Sequence, residues 1–159
     1  MVGFFAWANW PYESLPVGAK ADKIVIEKAK RTLTIYFQNQ NIRSYPISLG
    51  SNPVGPKEKE GDRKTPEGFY TVIEHKRGSS YFRALRVSYP GQKDMIQAER
   101  LGVKPGSDIM IHGIRNGFGF IGRAHRWFDW TAGCVALTNP EIEELFRVVK
   151  DDAKIEIKK

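Results

Sequence analysis

A chain of 159 residues with one Cys, three His and a net charge of +7 fits a single domain able to bury roughly 70% of the surface its unfolded form would expose. A lone Cys excludes an internal disulfide and leaves a thiol that is either inert or reactive. The positive charge favours anionic surroundings such as a carboxylate-rich polymer, but Lys and Arg are scattered and no nucleic-acid motif accompanies them, so nucleic acid is set aside as a partner.

The chain begins "MVGFFAWANWPYES", apolar for its first eight residues and ending that run in Ala6-Trp7-Ala8, the small-x-small form of a signal-peptidase site, with no basic residue ahead of it. Two readings stand: a remnant of a secretory signal, or an apolar strand or arm packed on the domain. Residues 1–22 are assigned to this arm or remnant and residues 23–159 to the folded domain. No other stretch approaches the ~18 consecutive apolar residues of a membrane helix.

From Lys23 onward, β-branched and aromatic runs recur between turn signals: "KIVIE", "TLTIYF", "IRSYPISL", "GFYTVIE", "FRALRVSY", "DIMIHG", "CVALT" and "AKIEIK". "QNQN" marks a hairpin, and "GSNPVGPKEKEGDRKTPEG" a long Gly- and Pro-rich connection over one face. Two helices are predicted. "KDMIQAERLG" is closed by Gly102, and "NPEIEELFRVVKD" starts from Asn139 as N-cap with Pro140 at the first helical position. The second has an apolar stripe of Ile142, Leu145, Phe146 and Val149. The pattern predicts a mostly β fold, a β-sandwich of mixed sheets with one or two packed helices.

Cys134 sits straight after a Gly in "WTAGCVAL". A free thiol titrates near 8.5, so a nucleophilic Cys needs a base. His75, His112 and His125 are the candidates. His112 ends an alternating apolar stretch and precedes a Gly, which puts it at a strand end where it can be held rigidly. His125 belongs to a loop rich in Arg and Trp. A zinc site from His112, His125 and Cys134 matches no usual ligand spacing, so neither a metal nor another cofactor is expected.

"IMIHG", a Gly-rich loop and then "WTAGCVAL" together resemble the signature of the L,D-transpeptidase (YkuD-type) catalytic domain, and "GDRKTPEGFY" and "VSYPGQKD" resemble segments of its Gram-negative members. The likeness covers roughly residues 23 to 158. It implies that Cys134 is the acyl-accepting nucleophile and His112 its general base, oriented by the Gly113 carbonyl, the imidazole stabilising the thiolate. The N–H groups of Gly133 and Cys134 would then face a developing oxyanion. Two positions depart from the family pattern. Ala132 stands where a His is common and Ala136 where an Arg or Asn is common, so another cation, Arg115, Arg123 or Arg126, is expected to hold the substrate carboxylate. Substrate contacts are assigned to Arg115, Trp127, Trp130 and Thr131, although Trp127 and Trp130 read equally well as anchoring residues. The Gly-rich segment between His112 and Cys134, with both Trp, has the make-up of a water-excluding lid.

The resemblance further implies acyl transfer on peptidoglycan stem peptides in the periplasm or cell envelope, through a thioester, to an amine acceptor that includes envelope lipoprotein. It also implies acylation by carbapenems. The competing readings are a hydrolase on the same scaffold, an L,D-carboxypeptidase or amidase, and a non-catalytic wall-binding module. Oligomeric state is left open.

Overall fold

Alternation of apolar and polar residues from Ala21 onward generates strands that curl round one core. In the computed structural model, which describes all 159 residues, a short helix α1 (Val2–Ala8) precedes β1 (Ala21–Glu27), β2 (Thr32–Phe37), β3 (Gln40–Pro46), β4 (Gly68–Ser79) and β5 (Phe82–Val87). Helix α2 (Gln92–Leu101), β6 (Met110–His112), a 3-10 segment (Gly119–Trp127), β7 (Val135–Ala136), α3 (Asn139–Val148) and β8 (Val149–Lys158) complete the chain. The strands form one sheet in the order β3-β2-β1-β8-β4-β5-β6-β7. Pairing is antiparallel except between β1 and β8 and between β6 and β7.

Strand β4 is long enough to serve two halves of the sheet. Gly68–Thr71 pair with β8 and Val72–Ser79 with β5. The mostly β, mixed architecture with packed helices is thus present, as one sheet curled on itself. The β2–β3 hairpin turns on Gln38 and Asn39, both left-handed at φ 50° and 65°, the pattern of a two-residue primed turn. Beyond β3 the chain crosses to the other end of the sheet. There Ser48 and Ala136 exchange backbone hydrogen bonds of 3.0 and 2.9 Å.

Helix α2 ends as the sequence indicates, with Gly102 left-handed at φ 65°. Helix α3 differs at both ends. Its N-cap is Thr138, not Asn139, because Thr138 and Glu141 form a reciprocal capping box in which the Thr138 N–H donates to Glu141 Oε2 at 3.0 Å. Asn139 is released to accept from the Ile114 N–H at 2.9 Å. The helix stops at Val148, and Val149 to Asp151 enter β8 instead. The apolar start of the chain is a helix, not a strand. Its Ala8 carbonyl oxygen lies 2.1 Å from where a Cβ on Gly122 would be, so only Gly at 122 lets α1 seat on the 3-10 segment.

Glu144 of α3, 4% exposed, ties the segment after α1 to the domain. Its carboxylate accepts from the Leu15 N–H at 2.6 Å, Tyr45 Oη at 2.7 Å and Arg43 Nη1 at 2.9 Å. Burial pushes its pKa up, but these donors outweigh burial and hold it below the usual carboxylate range. The bonds therefore stabilise fully above the unfolded carboxylate pKa and are lost as pH falls through the lowered folded value. Glu144→Ala should destabilise by about 2 kcal/mol, since it strands the buried Tyr45 hydroxyl and removes the carboxylate partner of half-buried Arg43. Chemical denaturation measures the loss, and hydrogen exchange at the Leu15 amide should accelerate with it.

Candidate active site

Strands β6 and β7 run parallel, with Ile111 opposite Val135 and His112 opposite Ala136. Ile111 and Val135 are fully buried in the core. Strand alternation therefore turns His112 to the other face, and Cys134, two residues before Ala136, turns to that same face. There both line a cavity of about 430 Å³ whose wall includes Arg63, Lys76, Tyr81, Trp130 and Thr131.

His112 is 4% exposed and held between two aromatic rings, Tyr81 at 4.4 Å and Trp130 at 5.8 Å between centroids. Its Nδ1 lies 2.7 Å from the Gly113 carbonyl oxygen. A carbonyl only accepts, so Nδ1 carries the proton and the lone pair is left on Nε2. Gly113 is itself fixed: its N–H reaches the carbonyls of Tyr81 and Arg83 at 3.0 and 3.2 Å. A Cβ there would sit 2.7 Å from Asn139 Oδ1, so β5 and the start of α3 together set the carbonyl that orients the imidazole.

Burial lowers the His112 pKa to about 4, with the Gly113 carbonyl opposing the shift. Burial raises the Cys134 thiol, against a smaller lowering by the Met110 N–H directed at the sulfur. Sγ is 3.5 Å from the Asp108 carbonyl oxygen. Burial thus favours the neutral form of both the imidazole and the thiol that line this cavity.

The loop before Cys134 spends its polar groups internally. Gly133 has φ 135°, and a Cβ there would lie 2.7 Å from the Lys64 carbonyl oxygen. Its N–H, expected to face an oxyanion, instead donates to Thr131 Oγ1 at 3.1 Å. The Thr131 hydroxyl, expected to meet substrate, donates to the Cys134 carbonyl at 2.7 Å. The Cys134 N–H is engaged by no side chain or loop carbonyl.

Arg115 and Trp127 do not reach this cavity. The turn after Ile114, held by the Asn116 N–H on the Ser80 carbonyl at 2.9 Å, carries Arg115 outward. It lines a separate cavity of about 290 Å³ that shares only Trp130 with the first. Trp127 stacks on Trp7 at 6.0 Å. Arg123 donates to the Trp10 carbonyl and Arg126 pairs with Glu141. The segment read as a lid is therefore anchored to α1 and α3 by these contacts. His125 is buried beside Ser48 and Trp130, and no three His, Cys, Asp or Glu side chains converge to hold a metal ion. The cations that do line the cavity are Arg63 and Lys76, neither in an ion pair. Arg63 lies within "GDRKTPEGFY", a stretch whose resemblance was the one signal available for it.

Residues 21–157 match the L,D-transpeptidase catalytic domain (YkuD) family. The Escherichia coli K12 protein named "Putative L,D-transpeptidase YafK" is 35% identical over 133 residues, covering 79% of this chain and 46% of YafK. The helical cell shape determining protein Pgp2 from Campylobacter jejuni superposes with a TM-score of 0.70 at 25% identity, over 99% of this chain and 55% of Pgp2. An L,D-transpeptidase from Mycobacterium smegmatis shares the fold at a TM-score of 0.56 and 17% identity, over 87% of this chain and 59% of that one. The chain thus spans about half the length of the relatives YafK and Pgp2. On the strength of the matched residues and the fold they share, the chain belongs to the L,D-transpeptidase catalytic domain family.

Proposed function

We propose that the chain carries out cysteine-dependent acyl transfer on peptidoglycan stem peptides in the cell envelope, at the cavity lined by Cys134 and His112. The observation that supports it best is the His112 imidazole locked by the Gly113 carbonyl, with Nε2 left as a base, on the same face as the thiol. In this reading Nε2 takes the thiol proton as Sγ adds to the carbonyl of the third stem residue. The oxyanion meets the Cys134 N–H. Collapse expels the terminal D-alanine, whose amine receives the proton from His112, and leaves a thioester on Cys134. An amine acceptor or water then attacks, with His112 again taking a proton. Arg63 and Lys76 replace the cation that Ala136 lacks and hold the substrate carboxylates. The same thiol would open a carbapenem ring to an acyl-enzyme.

One observation favours water over an amine as acceptor. Of the segment between His112 and Cys134 read as a lid, Trp130 is the aromatic that borders the cavity, while Trp127 is held against α1. A site without an enclosing lid leaves the thioester open to hydrolysis, so the L,D-carboxypeptidase or amidase version of the reaction stands as the second reading.

Mass spectrometry of products from purified tetrapeptide muropeptides should show tripeptide or cross-linked dimer. Cys134→Ala should lower turnover by at least roughly a thousandfold with the circular dichroism spectrum unchanged. Turnover retained in Cys134→Ala would refute the nucleophile, and its absence in both proteins would favour a wall-binding module.

A neutral resting pair also predicts the pH dependence of alkylation. The iodoacetamide rate should rise in a single step above the usual thiol range, with no reactive plateau at acid pH of the kind a thiolate–imidazolium pair gives. His112→Ala should leave that curve nearly unmoved while cutting acyl transfer by about 10²-fold or more.

A further inference from the structure

Nine Phe and Trp side chains are exposed on the molecule, and eight of them fall on one face. Phe4, Phe5, Trp7 and Trp10 come from α1 and the residues just after it. Phe118, Phe120, Trp127 and Phe128 come from the 3-10 segment and its flanks. The two groups are one surface. Trp127 touches both Phe4, at 5.7 Å, and Trp7, at 6.0 Å between centroids, and Asn9 Nδ2 donates to the Phe120 carbonyl at 2.8 Å. The fit of Ala8 against Gly122 fixes the helix on its seat.

The two segments that carry these rings are basic, although Glu141, Glu143 and Glu144 of α3 line the cavity beside Trp10 and Arg123. Residues 1–12 and 113–128 contain no Asp or Glu, and they carry Arg115, Arg123 and Arg126. Only Arg126 has a carboxylate partner, Glu141. Apolar rings with amphipathic Trp among them and unpaired guanidinium groups beside them are the make-up of a surface that enters the headgroup region of a membrane. Unpaired Arg next to such rings gains from anionic headgroups. A second copy of the chain suits the face poorly, since a two-fold contact would press these two Arg-bearing, acid-free segments against themselves.

We propose that this face docks on a bilayer containing anionic phospholipid, the Phe and Trp rings entering the headgroup region and Arg115 and Arg123 meeting lipid phosphates. Helix α1, at seven residues, lies in the plane of the interface, for it is far too short to cross. Trp130 joins this face to the Cys134 cavity, because it borders both the cavity lined by Phe118 and Phe128 and the one lined by Cys134. Docking would therefore bring the neighbouring Cys134 cavity close to the lipid surface.

The test is co-sedimentation of the whole chain with vesicles of phosphatidylcholine alone and of phosphatidylcholine with phosphatidylglycerol. Binding to the anionic vesicles should be roughly tenfold tighter, should weaken with added salt, and should shift Trp emission to shorter wavelength. Arg115→Gln with Arg123→Gln should remove the preference for phosphatidylglycerol. Trp10→Ser, Phe118→Ser and Phe128→Ser together should weaken binding to both vesicle types by about tenfold, with an unchanged thermal midpoint showing that the fold survives. Absence of vesicle binding, or equal binding by the variants, overturns the proposal. So does concentration-dependent dimerisation in light scattering that the triple variant abolishes while vesicles bind neither protein, which would make the face a contact between copies.

Discussion

Two backbone hydrogen bonds between Ser48 and Ala136, 3.0 and 2.9 Å long, join the opposite ends of the sheet order. Without them β7 would be a two-residue edge strand, too short to hold a position by itself. With them, β7 is gripped between β6 and the chain leaving β3, and Cys134 is brought to a fixed place two residues before Ala136. The closure continues through Thr131, whose N–H reaches the Leu49 carbonyl at 3.2 Å. It also sets the loop beyond. Gly50 passes so close to Arg63 that a Cβ would lie 2.2 Å from its carbonyl oxygen. Asp62 then gathers the N–H groups of Glu58, Lys59 and Lys64 and the Lys57 ammonium. Burial opposes its ionisation, but those donors hold its pKa down to about 2. The outcome is a charged, structured loop that delivers Arg63 to the cavity wall.

The same packing that fixes His112 governs its chemistry. Tyr81 and Trp130 desolvate the ring, which disfavours its charged form and lowers its pKa to about 4; in the proposed reaction this keeps it available as a base. Holding a base neutral and oriented costs nothing in reorganisation when the proton is transferred. A standing ion pair would make the thiol reactive towards any electrophile. In the proposed reaction, a neutral pair withholds reactivity until a carbonyl is in place to accept the sulfur.

Much of this was legible in the sequence because it rests on local rules. Strand alternation gave β1, β2 and β8, the Gln38-Asn39 pair gave a turn, and the strand end before Gly113 singled out His112. At the start of α3 two good caps stand side by side, Thr138 and Asn139, and the Thr-x-x-Glu box of Thr138 and Glu141 decides between them. Val149 continued a helical stripe, yet the alternation of Ala153, Ile155 and Ile157 belongs to a strand that begins at Val149 itself. What failed in the site failed for reasons of distance and competition. Arg115 is near His112 in sequence but the turn at Asn116 points it away, whereas Lys76 and Arg63 come from β4 and a remote loop. The Gly133 N–H meets the Thr131 hydroxyl two residues earlier rather than an oxyanion, a local competition that the Gly-Cys spacing does not reveal.

The central claim is that Cys134 accepts the acyl group of a stem peptide. Intact-mass measurement after acid quench of the protein with excess tetrapeptide donor tests it most directly. The account predicts a mass gain equal to the donor less D-alanine, mapped by peptide digestion to Cys134 and discharged when the thioester is treated with hydroxylamine. An unmodified protein during active turnover, or an adduct on any other residue, would contradict it.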